Sequence, residues 1–240
     1  MGIGRYLAKR LLMVIPTLLG VTIITFTLTY LLPGNPAMVK AGPFATPEYL
    51  ALMEKEMGLD KPIYVQYWRY LSGVMCGDLG QSSSTGRAVL EDFKQRIPAT
   101  LELTLASLLI AIGVGIPLAV ISAVRRDSVL DHICRLLGVG GVAMPTFWTG
   151  LLLLYIFFYH VGLAPPPLGR LSPGVSPPTS ITGLYTIDSF LTGSFRALTS
   201  SLHHLLLPAV TLGFSVMAPL TRMVRATMLE VLSSDYIKAA

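Results

Sequence analysis

Leu11 to Leu32 is a run of 22 residues without a charge, and it constrains the chain more than any other stretch. At 1.5 Å rise per residue a helix of that length reaches about 33 Å, enough to cross a hydrocarbon core of about 30 Å. Arg5, Lys9 and Arg10 precede the run, and Leu32-Pro33-Gly34-Asn35-Pro36 closes it. A secretory signal peptide also opens on basic residues, but its apolar part spans only about 7–15 residues and a small-residue cleavage site follows. The run therefore predicts an uncleaved first transmembrane helix with its N-terminus in the cytoplasm.

Three further apolar stretches predict spans at 103–124, 136–159 and 205–221. Leu103 to Val124 is again 22 residues without a charge, with Glu102 at its outer edge. Within it Ala111, Gly115, Ala119 and Ala123 recur at every fourth position, a ladder that lets another helix backbone approach closely. Chance spacing in an alanine-rich helix is the competing reading. Gly138, Gly140, Gly141 and Pro145 loosen the first half of the third span. Composition agrees: 52% of the residues are hydrophobic and 13% charged, against about 25% charged in a soluble domain. The net charge of +5 does not point to nucleic acid, because the basic residues sit in short clusters beside apolar runs.

Between the spans, residues 33–97 read as an external loop with short helices. Thr46-Pro47-Glu48 is a helix start and Gly58 a stop. Lys61-Pro62 opens a second helix, whose Tyr64, Tyr67, Trp68, Leu71, Val74 and Met75 share one face. That face suits either the membrane interface or packing against the rest of the protein. A third short helix is predicted from Arg87 to Ile97, ended by Pro98. The prolines at 165–167, 173, 177 and 178 predict an irregular external loop over 163–203. Counted over 1–10, 125–135 and 222–240 inside and 33–99 and 163–203 outside, the topology places nine Lys/Arg in 40 cytoplasmic residues and nine in 108 external ones, the positive-inside sense. The domains expected are 1–32 (cytoplasmic tail and first helix), 33–97 (external loop) and 98–240 (transmembrane domain).

No chemistry of bond-making is visible. The chain has no Gly-x-x-x-x-Gly-Lys-Ser/Thr phosphate loop. The glycine-rich patches lie inside apolar spans. His203-His204 has no neighbouring ligand residues and makes a poor metal site. Cys76 and Cys134 fall on opposite sides of the bilayer and read as small apolar residues. No catalytic residue, metal site or cofactor is assigned. The interiors of the four spans hold no Asp, Glu, Lys or Arg, which weighs against an ion-coupled carrier.

The last nineteen residues, Arg222 to Ala240, are basic, then amphipathic, then broken by Ser233-Ser234-Asp235. Ser233 or Ser234 can cap a new short helix with Asp235 in its first turn. Tyr236 and Ile237 on such a helix suit either a groove on a partner or the lipid surface.

These residues resemble the membrane-spanning subunit of an ABC importer of the dipeptide/oligopeptide/nickel permease family. The resemblance covers essentially the whole chain. It rests on RYLAKRLLMVIPTLLGVTIITF closed by LLPGNPA, on GLDKPIYVQYWRYL, GDLGQS and RIPATLEL, on PTFW, on HLLLPAVTLG and on MVRATMLEVLSSDYIKAA. That tail is similar to the start of the family's cytoplasmic coupling loop, whose pattern is Glu-Ala-Ala, three residues, then Gly. Lys238-Ala239-Ala240 falls on its first three positions, with Lys in the place of Glu. The resemblance implies an all-α polytopic membrane bundle, a type I ABC importer transmembrane domain, here either a fragment or truncated after four spans, because family members carry two more. It implies a prokaryotic cytoplasmic (inner) membrane, a second homologous permease, two ABC ATPase subunits and an external substrate-binding protein as partners. ATP and Mg would sit on the ATPases, and Ser233, Ser234, Asp235, Tyr236, Ile237, Lys238, Ala239 and Ala240 would couple to them. The rival readings are a channel or ion-coupled carrier, and a non-transporting membrane scaffold.

Overall fold

Local capping chemistry decides the first helices. The computed structural model describes residues 3–31, 36–42, 45–82, 84–234 and 237. Thr46 stands extended (φ −68°, ψ 151°) and its hydroxyl accepts from the Tyr49 amide, opening α3 (Pro47–Met57) with proline in the first turn. Gly58 closes that helix in the left-handed region at φ 71°, its amide returning to the Glu54 and Lys55 carbonyls. The expected start and stop are both present. Before it lie α1 (Ile3–Leu31) and α2 (Pro36–Ala41), and after it α4 (Ile63–Met75).

The chain divides into two compact units, Met1–Lys94 and Gln95–Ala240. In the first, α4 meets α1 through aromatic contacts. Phe26 lies 5.4 Å from Tyr67 edge-on and 5.7 Å from Tyr70, and the Thr22 and Tyr67 hydroxyls are 3.0 Å apart. The face of α4 is thus split. Tyr67 turns to α1, while Tyr64, Trp68 and Met75 stay exposed. Along α1 the hydroxyls of Thr17, Thr25 and Thr29 donate to carbonyls four residues back, so none presents a bare donor to an apolar surrounding.

The second unit is built around one long helix. Its elements are α5 (Val89–Val124, starting just before the boundary), α6 (Val129–Ala143), α7 (Thr146–Leu154) running into a π-helical turn at Tyr155–His160, α8 (Tyr185–Leu191) and α9 (Phe195–Ser233). A Cβ at Gly115 of α5 would lie 2.8 Å from Met217 Cγ, and one at Gly213 of α9 would lie 3.0 Å from the Ser107 carbonyl. On the other side Gly138 and Gly141 of α6 meet Arg222 and Ala218. The order of these pairs makes α5 parallel and α6 antiparallel to α9. Close backbone approach through small residues holds helices together where lipid removes the hydrophobic drive.

Three sequence expectations change. First, Arg87–Ile97 is not a separate helix ended by Pro98: α5 runs through both Pro98 and Pro117. A proline inside a helix removes one hydrogen bond and costs about 3 kcal/mol. Here the Pro98 ring is packed against Gly183, where a Cβ would sit 2.9 Å away, and tertiary contact overrides the local break. Second, the span expected at 136–159 is broken. Pro145 disfavours the helical region for the residue before it, and Met144 stands extended at φ −84°, ψ 125°, where α6 and the α7 segment meet at 109°. Third, the loop expected over 163–203 ends early, because α8 and the first nine residues of α9 are helical within it. Among the described residues three helices are long and apolar enough to cross a membrane, and a fourth crossing arises if the bent pair counts as one.

Candidate functional site

Charge is concentrated at the two ends of the α5–α9 pair. At the end carrying the α5–α6 turn, Ser128 caps α6 by accepting from the Asp131 amide. This puts Asp131 in the first turn, fully buried at 0% exposure. Its carboxylate accepts from the Ser122 hydroxyl (2.5 Å), from the Asp127 amide (3.1 Å), and from Nε and Nη2 of Arg225 (2.8 Å each). Asp127 holds a left-handed φ of 61° in the turn. Arg135 approaches Asp131 at 3.3 Å from a more exposed position. One carboxylate thereby ties α5, the turn, α6 and α9 together.

At the opposite end Glu102 is the centre. One of its oxygens accepts from the amide and hydroxyl of Thr186 (2.6 and 2.5 Å), the other from Arg170 (2.5 Å). The Arg170 guanidinium also donates to the Gly183 carbonyl and lies 3.6 Å over the Tyr185 ring. A cavity of about 170 Å³ opens here, lined by Glu102, Leu103, Arg170, Ser201, His204 and Pro208. His204 donates from Nδ1 to the Ser200 carbonyl, and its buried Nε2 has no hydrogen-bond partner among the described residues. Beside it, Asp188 gathers the amides of Ile181, Thr182 and Gly183 and the Thr182 hydroxyl within 2.7–3.1 Å. Burial pushes the Asp188 carboxyl up, but these bonds more than offset it and hold the group below its ordinary value.

Glu102 and Ser122 are twenty residues apart on α5, roughly 30 Å, the thickness of a hydrocarbon core. No acidic or basic residue falls inside the four expected spans: Asp131 and Arg225 sit just outside them, on α6 and α9. Each is matched by its partner, as buried charges must be.

The small-residue ladder lies on one buried face of α5: Ala111, Gly115, Ala119 and Ala123 are all buried. Of the residues assigned to coupling, Ser233 ends α9 with its hydroxyl on the Glu230 carbonyl. Ser234 stands extended, its hydroxyl turned back to Val231, so neither serine caps a following helix through its side chain among the described residues. The Ile237 amide donates to the Ser234 carbonyl and its side chain is 40% exposed. Asp235, Tyr236, Lys238, Ala239 and Ala240 lie outside the described residues. Among the described residues no cluster of His, Cys, Asp or Glu could hold a metal ion. Sequence reasoning missed the Asp131 and Glu102 networks. The one usable signal was Ser128 three residues before an acid, a helix start inside what was read as a loop.

Comparison with known proteins decides what carries this architecture. The profile described as "Binding-protein-dependent transport system inner membrane component" matches residues 115–240, and that of its N-terminal partner region matches 3–104. The chain belongs to this permease family. It is 43% identical over 221 residues to the probable D,D-dipeptide transport system permease protein DdpB of Escherichia coli (strain K12), covering 92% of this chain and 65% of that protein. It is 41% identical over 239 residues to the dipeptide transport system permease protein DppB of the same strain, covering 98% and 70%. The glutathione transport system permease protein GsiC of Salmonella paratyphi A (strain ATCC 9150 / SARB42) is 35% identical over 235 residues, covering 98% and 67%. The chain spans about two thirds of the length of these relatives. Among the described residues it is helical without a named strand, as an inner-membrane component of a binding-protein-dependent transport system.

Proposed function

We propose that this chain is the membrane-spanning permease subunit of an ATP-driven importer that moves peptides across the cytoplasmic membrane of a prokaryote, with nickel or glutathione-like solutes as the neighbouring substrate classes. The observation that carries the reading is the 41% identity to a dipeptide permease along 98% of the chain. The partners would be a second homologous permease, two ABC ATPase subunits holding ATP and Mg, an external substrate-binding protein and the surrounding lipid. This chain would hold no cofactor of its own.

The density of basic residues supports a cytoplasmic N-terminus and a cytoplasmic α5–α6 turn, by the positive-inside rule. The end of α9 would then point towards the ATPases, and Glu102 with its cavity towards the binding protein. ATP binding would draw the coupling segments of two permeases together and turn the bundle from inward- to outward-facing. An ion-coupled carrier needs a group that changes charge within the membrane. The buried Asp131 and Glu102 do not offer one, because each is neutralised by an arginine of the same chain.

The test is reconstitution of the complete transporter in liposomes, following ATP hydrolysis while dipeptides, nickel or glutathione are added. Stimulation by one ligand class supports the importer reading and names the substrate. Absence of stimulation by all three, with the complex intact, overturns it.

A further inference from the structure

Asp131 and Arg225 are 94 residues apart in sequence, on α6 and α9. Asp131 is wholly buried, and the Arg225 side chain is 19% exposed. A buried ion pair adds little net stability over a well-packed apolar pair. What a two-pronged arginine–carboxylate contact adds is orientation, because the planar fork fits in one geometry only. Here that geometry fixes the rotation and height of α9 against α5 and α6. The same carboxylate also receives Ser122 of α5 and the amide of the left-handed Asp127, so four segments share one centre. Further along, α9 is held by contacts at Gly115, Gly138, Gly141 and Gly213, which set distance but carry no directional bond.

The position of the pair matters as much as its geometry. Arg225 lies eight residues before Ser233, the last residue of α9, about 12 Å of unbroken helix. A displacement applied at the end of α9 travels along this helix to the contact.

We infer that Arg225 and Asp131 are positioning residues that make α5, α6 and α9 move as one body when the end of α9 is displaced, so that ATP-driven motion reaches the membrane path instead of bending α9. The inference rests on the importer reading above. It assigns the pair no contact with substrate.

The test uses the complete transporter in liposomes and reads substrate transported per ATP hydrolysed, a ratio that does not depend on how much complex folds. Asp131→Asn lowers the ratio about tenfold, within the range of ordinary coupling energies, while ATP hydrolysis per assembled complex stays within about twofold. Arg225→Lys gives an intermediate loss, since an ammonium keeps the charge but not the fork. Arg135→Gln leaves the ratio unchanged, because that contact is made at an exposed rim. A wild-type complex without substrate-stimulated ATP hydrolysis overturns the importer reading and this inference with it. A coupled wild type whose Asp131 and Arg225 variants keep its ratio overturns the inference alone. Loss of assembly in both variants also overturns it, by making the pair a folding element.

Discussion

A Cβ on Gly141 would lie 2.7 Å from the Cβ of Ala218 and 3.3 Å from the Phe214 carbonyl. No ordinary carbon–carbon contact is that short, so α6 and α9 are as close as two backbones with one methyl between them allow. Gly140, one residue earlier, has nothing within 4 Å of the same position. Two adjacent glycines of one helix thus have different physical roles.

That difference is measurable. Gly141→Ala forces α6 away from α9 and destabilises the protein by about 1–3 kcal/mol, the usual cost of overpacking. Ala218→Gly in the same chain recovers most of the loss. Gly140→Ala stabilises by up to about 1 kcal/mol through helix propensity alone. Thermal unfolding of the detergent-solubilised protein distinguishes the three, and equal effects at 140 and 141 would refute the close-approach account.

What could be read from the sequence follows from the range of each interaction. Thr46, Pro47 and Gly58 act within one turn of themselves, and the helix they bound is where they put it. The small-residue spacing at Ala111, Gly115, Ala119 and Ala123 is a local pattern, and those residues share a buried face. Pro98 and Pro145 show the limit. The same residue type sits inside a continuous helix in one case and at a 109° break in the other. The Pro98 ring is packed on Gly183, 85 residues away, a contact that no local pattern shows. Asp131 looked like a loop charge because its partner is on another helix, and no local pattern links the two.

Glu102 and Arg170 supply a second prediction. Removing one member of a buried pair leaves an uncompensated charge and costs about 3–5 kcal/mol, while replacing both with apolar residues is often neutral. Glu102→Leu alone is therefore strongly destabilising, and Glu102→Leu with Arg170→Met recovers much of the loss. The Arg170 side chain is 28% exposed, so the single-variant loss falls at the low end of that range. Additive losses in thermal unfolding would show that the two residues act independently.

Asp188 makes stability depend on pH in a definite direction. Its folded value is lowered, so the ionised carboxylate stabilises the loop at 181–184 above its unfolded value of about 3.9. That contribution is lost as pH falls through the lower folded value. Asp188→Asn, which keeps one acceptor oxygen but no charge, costs about 2 kcal/mol near neutral pH. The gap between wild type and variant stays constant from pH 8 to about pH 5, then narrows as acid removes the charge from the wild type. Unfolding curves at a series of pH values check this, and a gap that widens in acid would contradict the assignment.

The last prediction concerns the end of the chain. Ile237 is 40% exposed and follows directly on the break that ends α9 at Ser233 and Ser234. An apolar residue held out from the membrane-crossing helices needs a surface to cover it. If that surface is a groove on an ATPase subunit, a charge there is unfavourable in the docked state and harmless in the undocked one. Ile237→Asp then leaves membrane insertion intact and changes thermal stability little, because the side chain stands at the surface. Transport falls by about tenfold, the scale of a coupling energy near 1.4 kcal/mol, while ATP hydrolysis persists without substrate stimulation. Tyr236→Asp behaves the same way. If both variants instead transport normally but bind anionic vesicles more weakly than wild type, the segment rests on lipid, and coupling to the ATPases runs through other residues.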